Sequence, residues 1–578
     1  MTSLPAPTTL EPPLTAQRSA RLGRKALKAA QAIRHAPMWS LAAALIAAVF
    51  VLPVAAVALM ALGPSDGIWA HLSATVLPAA LSNTLWLLAG TGTLTLVIGT
   101  TCAWLVTMYR FPGREIADRL LVLPLAMPTY IVAYAYVDLL DYAGPVQSAM
   151  RAAFGPQSMI VAAMPDIRSL GGAIMIFALA LYPYVYLSAR ASFVQQSVCA
   201  LEVARTLGQT AAGTFWSVAL PMARPALAAG VLLVMMECLN DLGAVQYLGV
   251  ETLSASIYAT WMQRSNLPGA AQLALVMLLM IAALLISERV ARGDAGFHHT
   301  TGRYRAIPFE TLVGTRAVAA LAFVAAPVVL GFVVPFAVLI WRGISHFSVF
   351  DSAGFLTAAG NSLLLSAMVS IAAVALALLF TYAARLHRTA ATRFASRISG
   401  FGYALPGTVL AIGLLAPLAA FDNGLDAWMR STFSVSTGLL LSGSLFAVTA
   451  ALVIRFLAVA ISSIDAGLER ISPNIDAAAK TLGTRASAAL RFIHLPMLKP
   501  ALGAAALLVF VDAMKELPAT LLLRPFNFET LATRMYALTA TEQFEEAAIG
   551  AIAIVVIGLI PVLLLHRAVA AGRAGGSA

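Results

Sequence analysis

Two short stretches place ionisable groups inside otherwise apolar runs. Glu237, Asn240 and Asp241 stand near the end of one run; Asp512, Lys515 and Glu516 hold the equivalent places in another. Ionisable side chains are costly within a bilayer and face a cavity or a partner. Carboxylate oxygens gathered on a central path suit a hard cation. The same acids with Lys515 also suit salt bridges that lock helices or a gate. Both readings stand at this point, and no metal site is assigned.

A second paired pattern precedes each of these stretches. Arg205-Thr206-Leu207-Gly208 is followed by Leu220-Pro221-Met222 and Pro225-Ala226-Leu227; Lys480-Thr481-Leu482-Gly483 is followed by Leu495-Pro496-Met497 and Pro500-Ala501-Leu502. The interval from Gly208 to Pro221 equals that from Gly483 to Pro496, with no gap. Gly208 and Gly483 can take the left-handed conformation that ends a helix cheaply. Pro221 and Pro496 lack an amide donor and favour a helix start or a bend. The pattern predicts a short helix, a glycine turn, a second short amphipathic helix, and a Leu-Pro step that opens the next span. Such an elbow suits a lever driven by an engine outside the membrane.

That engine is not encoded here. A phosphate-binding loop needs Gly-Lys before Ser or Thr, and Lys25, Lys28, Lys480, Lys499 and Lys515 never follow a glycine. No nucleophile–base set recurs at one depth of the membrane, so an enzyme is not expected, nor a cofactor bound by this chain. Cys102, Cys199 and Cys238 stand singly, in no disulfide or metal-ligand spacing. His298-His299 reads as solvated loop.

The elements that must position these groups are membrane helices. Of 578 residues, 60% are hydrophobic and 11% charged, with a mean hydropathy of +0.86; soluble domains carry about 25% charge. Leu41–Leu62, Leu85–Met108 and Val318–Ile340 are among the runs that approach or reach the roughly 20 apolar residues needed to cross a bilayer. Twelve spans are predicted, at 39–62, 83–108, 119–140, 171–193, 225–247, 269–290, 316–341, 361–384, 398–420, 437–460, 500–523 and 543–566. The net charge of +11 collects before the first span, at Arg110, Arg114 and Arg119, and at Arg385, Arg388, Arg393 and Arg397. Basic clusters on alternate loops are the positive-inside pattern. They place both termini in the cytoplasm and argue against nucleic acid as a partner.

The chain is a tandem repeat. Asn83-Thr84-Leu85 and Ala126-Met127-Pro128 return in the second half as Asn361-Ser362-Leu363 and Ala404-Leu405-Pro406. Glu251-Thr252-Leu253 and Tyr258 return, at the same offset, as Glu529-Thr530-Leu531 and Tyr536. Six spans per half make the repeats parallel, with a pseudo-twofold along the membrane normal. The expected organisation is a basic cytoplasmic tail (1–38), a first lobe (39–290), a cytoplasmic linker (291–315), a second lobe (316–566) and a short tail (567–578).

Glu202-Val203-Ala204, Gly208 and Leu220-Pro221 resemble the EAA–Gly–Leu-Pro loop of binding-protein-dependent ABC importer permeases, type I. The second copy departs from that pattern, with Ala477-Ala478-Ala479 in the EAA slots and Asp476 one position early. The resemblance covers nearly all of the chain after about residue 40. It implies two ATP-binding cassette ATPase subunits, one docked on each loop and using the ATP, a periplasmic substrate-binding protein, and a multi-pass place in a bacterial inner membrane.

The segment from Met514-Lys515-Glu516-Leu517-Pro518 to Glu529-Thr530-Leu531-Ala532-Thr533, with Asn240-Asp241-Leu242-Gly243-Ala244-Val245-Gln246-Tyr247 in the first half, is similar to ferric-iron permeases. That resemblance implies import of Fe(III). Thiamine, phosphonate or another small solute is the alternative cargo, and an ion-coupled secondary transporter is the rival class. Tyr182, Tyr184 and Tyr186 read either as pore-lining or as an aromatic belt. Loops 141–170, 248–268 and 524–542 would receive the binding protein, through residues such as Arg168, Arg264 and Arg534.

Overall fold

The computed structural model describes residues 51–65, 67–195, 204, 206–292, 310–344, 352–386, 402–469 and 471–571. The N-terminal tail, most of the linker with His298-His299, Glu202, Cys199, Arg388, Arg393, Arg397 and positions 572–578 lie outside them.

The protein is an all-α integral membrane protein. Among the described residues, ten helices are long and apolar enough to cross a membrane, and a bent pair makes an eleventh span. Val51–Ala61 is the described part of the first expected span. Without water in the hydrocarbon, backbone donors and acceptors must be satisfied within the segment, which leaves the helix as the solution. Where two helices pack closely, small residues sit between them. A Cβ on Gly99 would lie 2.8 Å from the Tyr186 nitrogen, so the second span (Ile68–Met108) can reach the fourth (Leu170–Val194) only with glycine there.

Several expected spans need correction. The third is not continuous: Arg114–Ala126 and Thr129–Phe154 meet at 93° across Met127-Pro128, because Pro128 cannot continue a helical ladder. In the second half, Gly407–Phe433 follows Pro406 and runs beyond the expected end at 420. The fifth and eleventh spans stop at Asn240 and Met514, short of 247 and 523, and each is followed by a separate short helix, Gly243–Tyr247 and Pro518–Leu523.

The elbows also differ from expectation. The Leu-Pro steps do not open new helices. Phe215–Asn240 and Ala486–Met514 run through them, each with a five-residue π turn, Phe215–Ala219 and Leu490–His494, ending two residues before the proline. The same arrangement precedes Pro78 and Pro335, with π turns at Leu72–Val76 and Val329–Val333. A π turn shifts the hydrogen-bond ladder by one residue, so the Leu220 N–H reaches the Phe215 carbonyl. The helix thereby absorbs a residue that has no N–H and a ring that crowds the preceding turn.

The packing does not follow the two halves. The seventh span (Thr315–Ile344) and the last helix lie against the first half: a Cβ on Gly331 would sit 2.4 Å from the Leu179 carbonyl oxygen, and one on Gly558 would sit 2.6 Å from that of Ala126. Arg342 of the seventh span pairs with buried Asp138 at 2.7 Å. Reciprocally, Pro53 of the first span presses on the second half, where a Cβ on Gly413 would meet its carbonyl oxygen at 2.4 Å. The linker's end forms a two-stranded parallel ribbon, Glu310–Thr311 beside Tyr109–Arg110.

Candidate functional site: an inter-half cavity and two elbows

A cavity of about 90 Å³ lies where the two halves meet, and all six ionisable or amide residues singled out above line it: Glu237, Asn240, Asp241, Asp512, Lys515 and Glu516. They converge because the fifth and eleventh spans both end there, about 20 residues and about 30 Å of helix beyond the Leu-Pro steps. The cavity repeats itself: Leu181, Leu242 and Gly243 of the first half correspond, at one constant offset, to Phe456, Leu517 and Pro518 of the second.

Asp241 and Glu516 do equivalent local work. Asp241 accepts the Ala244 N–H at 2.7 Å and Glu516 accepts that of Ala519 at 2.9 Å, so each carboxylate caps the short helix that follows it. Thr129 donates its hydroxyl to Asp241, while the Thr520 N–H and hydroxyl reach Glu516 at 3.0 and 2.8 Å. Lys515 pairs with Asp512 at 2.9 Å. Arg455 lies 3.3 Å from Glu516 and donates to Asn240 Oδ1 at 2.6 Å; the Gly407 N–H donates to the same oxygen at 2.8 Å. The Tyr403 hydroxyl donates to Glu237 at 2.6 Å.

Reading along the chain does not single out Arg455, Tyr403, Gly407 or Thr129. Arg455 has a legible signal, a lone guanidinium inside the apolar span Leu445–Glu469. The others have none. Of the three tyrosines, Tyr184 lines the cavity; Tyr182 and Tyr186 are buried, and Tyr186 donates to Asp118, which also pairs with Arg190 at 2.7 Å. Among the described residues, no three His, Cys, Asp or Glu side chains are grouped to hold a metal ion.

At the elbows, Gly208 and Gly483 have φ of 86° and 71°, the left-handed region. Leu207 and Leu482 beside them are 80% and 83% exposed, while Ala204 and Ala479 are buried. Leu220 and Leu495 are half-buried at the ends of the π turns, and Ala477 is exposed. Asp476 is turned inward. Arg385 pairs with it at 2.7 Å and donates to the Leu468 and Ile471 carbonyls; buried His494 Nε2 lies 2.9 Å from its other oxygen. The equivalent positions in the first half are Thr107, Leu201 and Ala219, which cannot form this charged cluster.

At the opposite end from the elbows, Arg168 reaches Asp141 at 3.1 Å and Arg534 lies 4.0 Å from Glu529, so both are engaged within the chain.

Residues 95–292 match the model of the binding-protein-dependent transport system inner membrane component. The matched stretch carries the first elbow and the first-half wall of the cavity, Glu237, Asn240 and Asp241 among it. The chain is 27% identical over 491 residues, 84% of this chain and 89% of the relative, to the Fe(3+)-transport system permease protein FbpB 2 of Haemophilus influenzae. It is 29% identical to the sulfate transport system permease protein CysT of Salmonella typhimurium, over 35% of this chain and 71% of that protein. The molybdenum transport system permease protein ModB of Escherichia coli is 27% identical over 34% of this chain and 86% of its own length.

Proposed function

We propose that this chain is a permease that imports ferric iron across a bacterial inner membrane, as the spanning subunit of an ATP-driven importer. The observation that carries the cargo is the extent of the match: the Fe(3+) relative is followed through both halves, over 84% of this chain, whereas the sulfate and molybdenum relatives cover about a third. A wall of carboxylate and phenol oxygens is compatible with a hard cation in transit. A pathway that must release its cargo has no use for a resident ligand cage.

In this reading both termini and the elbows face the cytoplasm, the lobes span 39–290 and 316–566, and two ATPase subunits dock on the elbows. Leu207 and Leu482, exposed beside the left-handed glycines, are the apolar knobs offered to them. Glu202 supplies an acid on the first elbow. On the second, Asp476 is committed to Arg385 and His494, so docking there rests on Leu482 and the exposed Ala477. A periplasmic binding protein delivers cargo at the far end. ATP closes the ATPase dimer, draws the elbows together and rocks the halves open; hydrolysis resets them.

The second reading keeps this machine and changes the cargo. A putative 2-aminoethylphosphonate transport system permease protein PhnU of Salmonella typhimurium is 26% identical over 38% of this chain. Arg455 and Lys515 would face such an anion.

Uptake of labelled ferric iron by iron-starved cells, with redundant iron systems removed, tests the proposal. Uptake should vanish without the gene, return with it, and stay absent with a Gly208→Val variant. Unchanged uptake in the deleted strain sinks the iron assignment.

A further inference from the structure

We infer that Arg455 and Asn240 form a latch that closes the pathway at the end remote from the elbows, built to open without breaking an ion pair. The inference rests on the importer reading above, in which the halves must part at this cavity.

The distribution of charge over the two halves carries the argument. Among the described residues, the ion pairs at the cavity, Arg455–Glu516 and Lys515–Asp512, lie within the second half. Hydrogen bonds cross between the halves there from Arg455 to Asn240, from the Gly407 N–H to Asn240, and from Tyr403 to Glu237. Each of these crossing bonds has a neutral group on at least one side. When the halves part, Arg455 keeps Glu516 and Lys515 keeps Asp512. The groups released are an amide, a phenol, a main-chain N–H and the Glu237 carboxylate, which admitted water can solvate. An ion pair across the same seam would leave two opposed charges to be separated in a low-dielectric setting, a far more expensive step.

Two further features fit a device of this kind. Glu516 is pinned by Ala519 and Thr520 to the short helix of its own half, so the counter-ion of Arg455 does not follow Asn240 away. The position equivalent to Arg455 in the first half is Ala180, which also lines the cavity. The latch is therefore single, thrown from the second half onto Asn240, and the repeat does not duplicate it.

The test uses the full chain in proteoliposomes, with an external acid pulse read by an entrapped pH dye. Asn240→Ala should raise the proton leak roughly tenfold, the change in open fraction expected from losing one charge-assisted hydrogen bond. Asn240→Asp turns the crossing bond into an ion pair and should leak no more than the unaltered chain. Arg455→Ala should leak too, but it also strands Glu516, so Asn240→Ala is the deciding variant; unfolding temperatures measured alongside separate a leak from a damaged fold. Vesicles of Asn240→Ala as tight as the unaltered chain overturn the latch, as does an Asn240→Asp leak equal to that of Asn240→Ala. The leak needs neither cargo nor ATPase. The expected pattern without any iron uptake would keep the latch and reject the iron reading.

Discussion

Asn361 donates its side-chain amide to the Glu529 carbonyl at 2.9 Å, and Asn83, its counterpart in the first half, does the same to Glu251 at 3.0 Å. Beside them, Ser362 accepts the Leu531 N–H at 2.7 Å and Thr84 accepts that of Leu253 at 3.0 Å. In each half, the repeated Asn-Ser/Thr pair of one helix ties down the repeated Glu-Thr-Leu segment that leads back from the cavity.

Removing one of these acceptors leaves a buried N–H without a partner. Ser362→Ala should cost about 1–3 kcal/mol, read as a lower unfolding temperature in detergent. Asn83→Ala, at a half-buried site whose bond is open to solvent, should cost less. Equal effects would mean that burial does not govern the tie.

Gly208 and Gly483 stand in open space, with nothing within 4 Å of where a Cβ would lie, so their constraint is the backbone angle alone. A left-handed residue with a side chain costs roughly 1–2 kcal/mol, more if β-branched. Gly208→Val should leave the protein in the membrane yet abolish coupled transport. Gly503→Ala, helical and equally open, is the control and should transport normally. Normal transport by Gly208→Val would end the lever argument.

Asp476 holds Arg385 and His494 together. Asp476→Ala should destabilise the protein by about 1.5–3 kcal/mol, the worth of hydrogen bonds to a charged group, because Arg385 loses its only carboxylate partner among the described residues. Leu201→Ala, the equivalent change in the first half, removes no such group. Thermal unfolding of the two variants compares them directly.

Gly331 and Gly413 are where each half's leading helix presses on the other half. A methyl group on either would fall 2.4 Å from a carbonyl oxygen, with backbone rather than a flexible side chain in the way. Either alanine substitution should cost about 1–3 kcal/mol through overpacking and reduce the yield of folded protein. Gly424→Ala, with nothing near it, should not.

The apolar runs, the tandem repeat and the glycine elbows were legible along the chain, because each rests on local chemistry. An apolar run of bilayer length has no alternative to helix, and Gly208 and Gly483 recur with the same following Leu-Pro step. The repeat also aligned Asp241 with Glu516, and the cavity holds both. Less legible were the bends. The stretch 119–140 reads as one span although it breaks by 93° at Pro128, and the π turns before Pro78, Pro221, Pro335 and Pro496 left no mark beyond the prolines themselves.

The amino-acid sequence by itself determined an all-helical, membrane-spanning tandem repeat with two elbows and a pair of polar spots. Only the tertiary structure decided that Arg455 meets Asn240 across the two halves, that Asp476 turns inward to Arg385, and that the first and seventh spans each lie against the other half. The reason is physical. In a soluble helix the apolar stripe points to the core, but in a membrane the lipid face and the packed face are both apolar, so periodicity cannot say which helices touch. Those partners follow from close approach of small residues and from buried polar groups finding one another, and both depend on how the whole bundle docks.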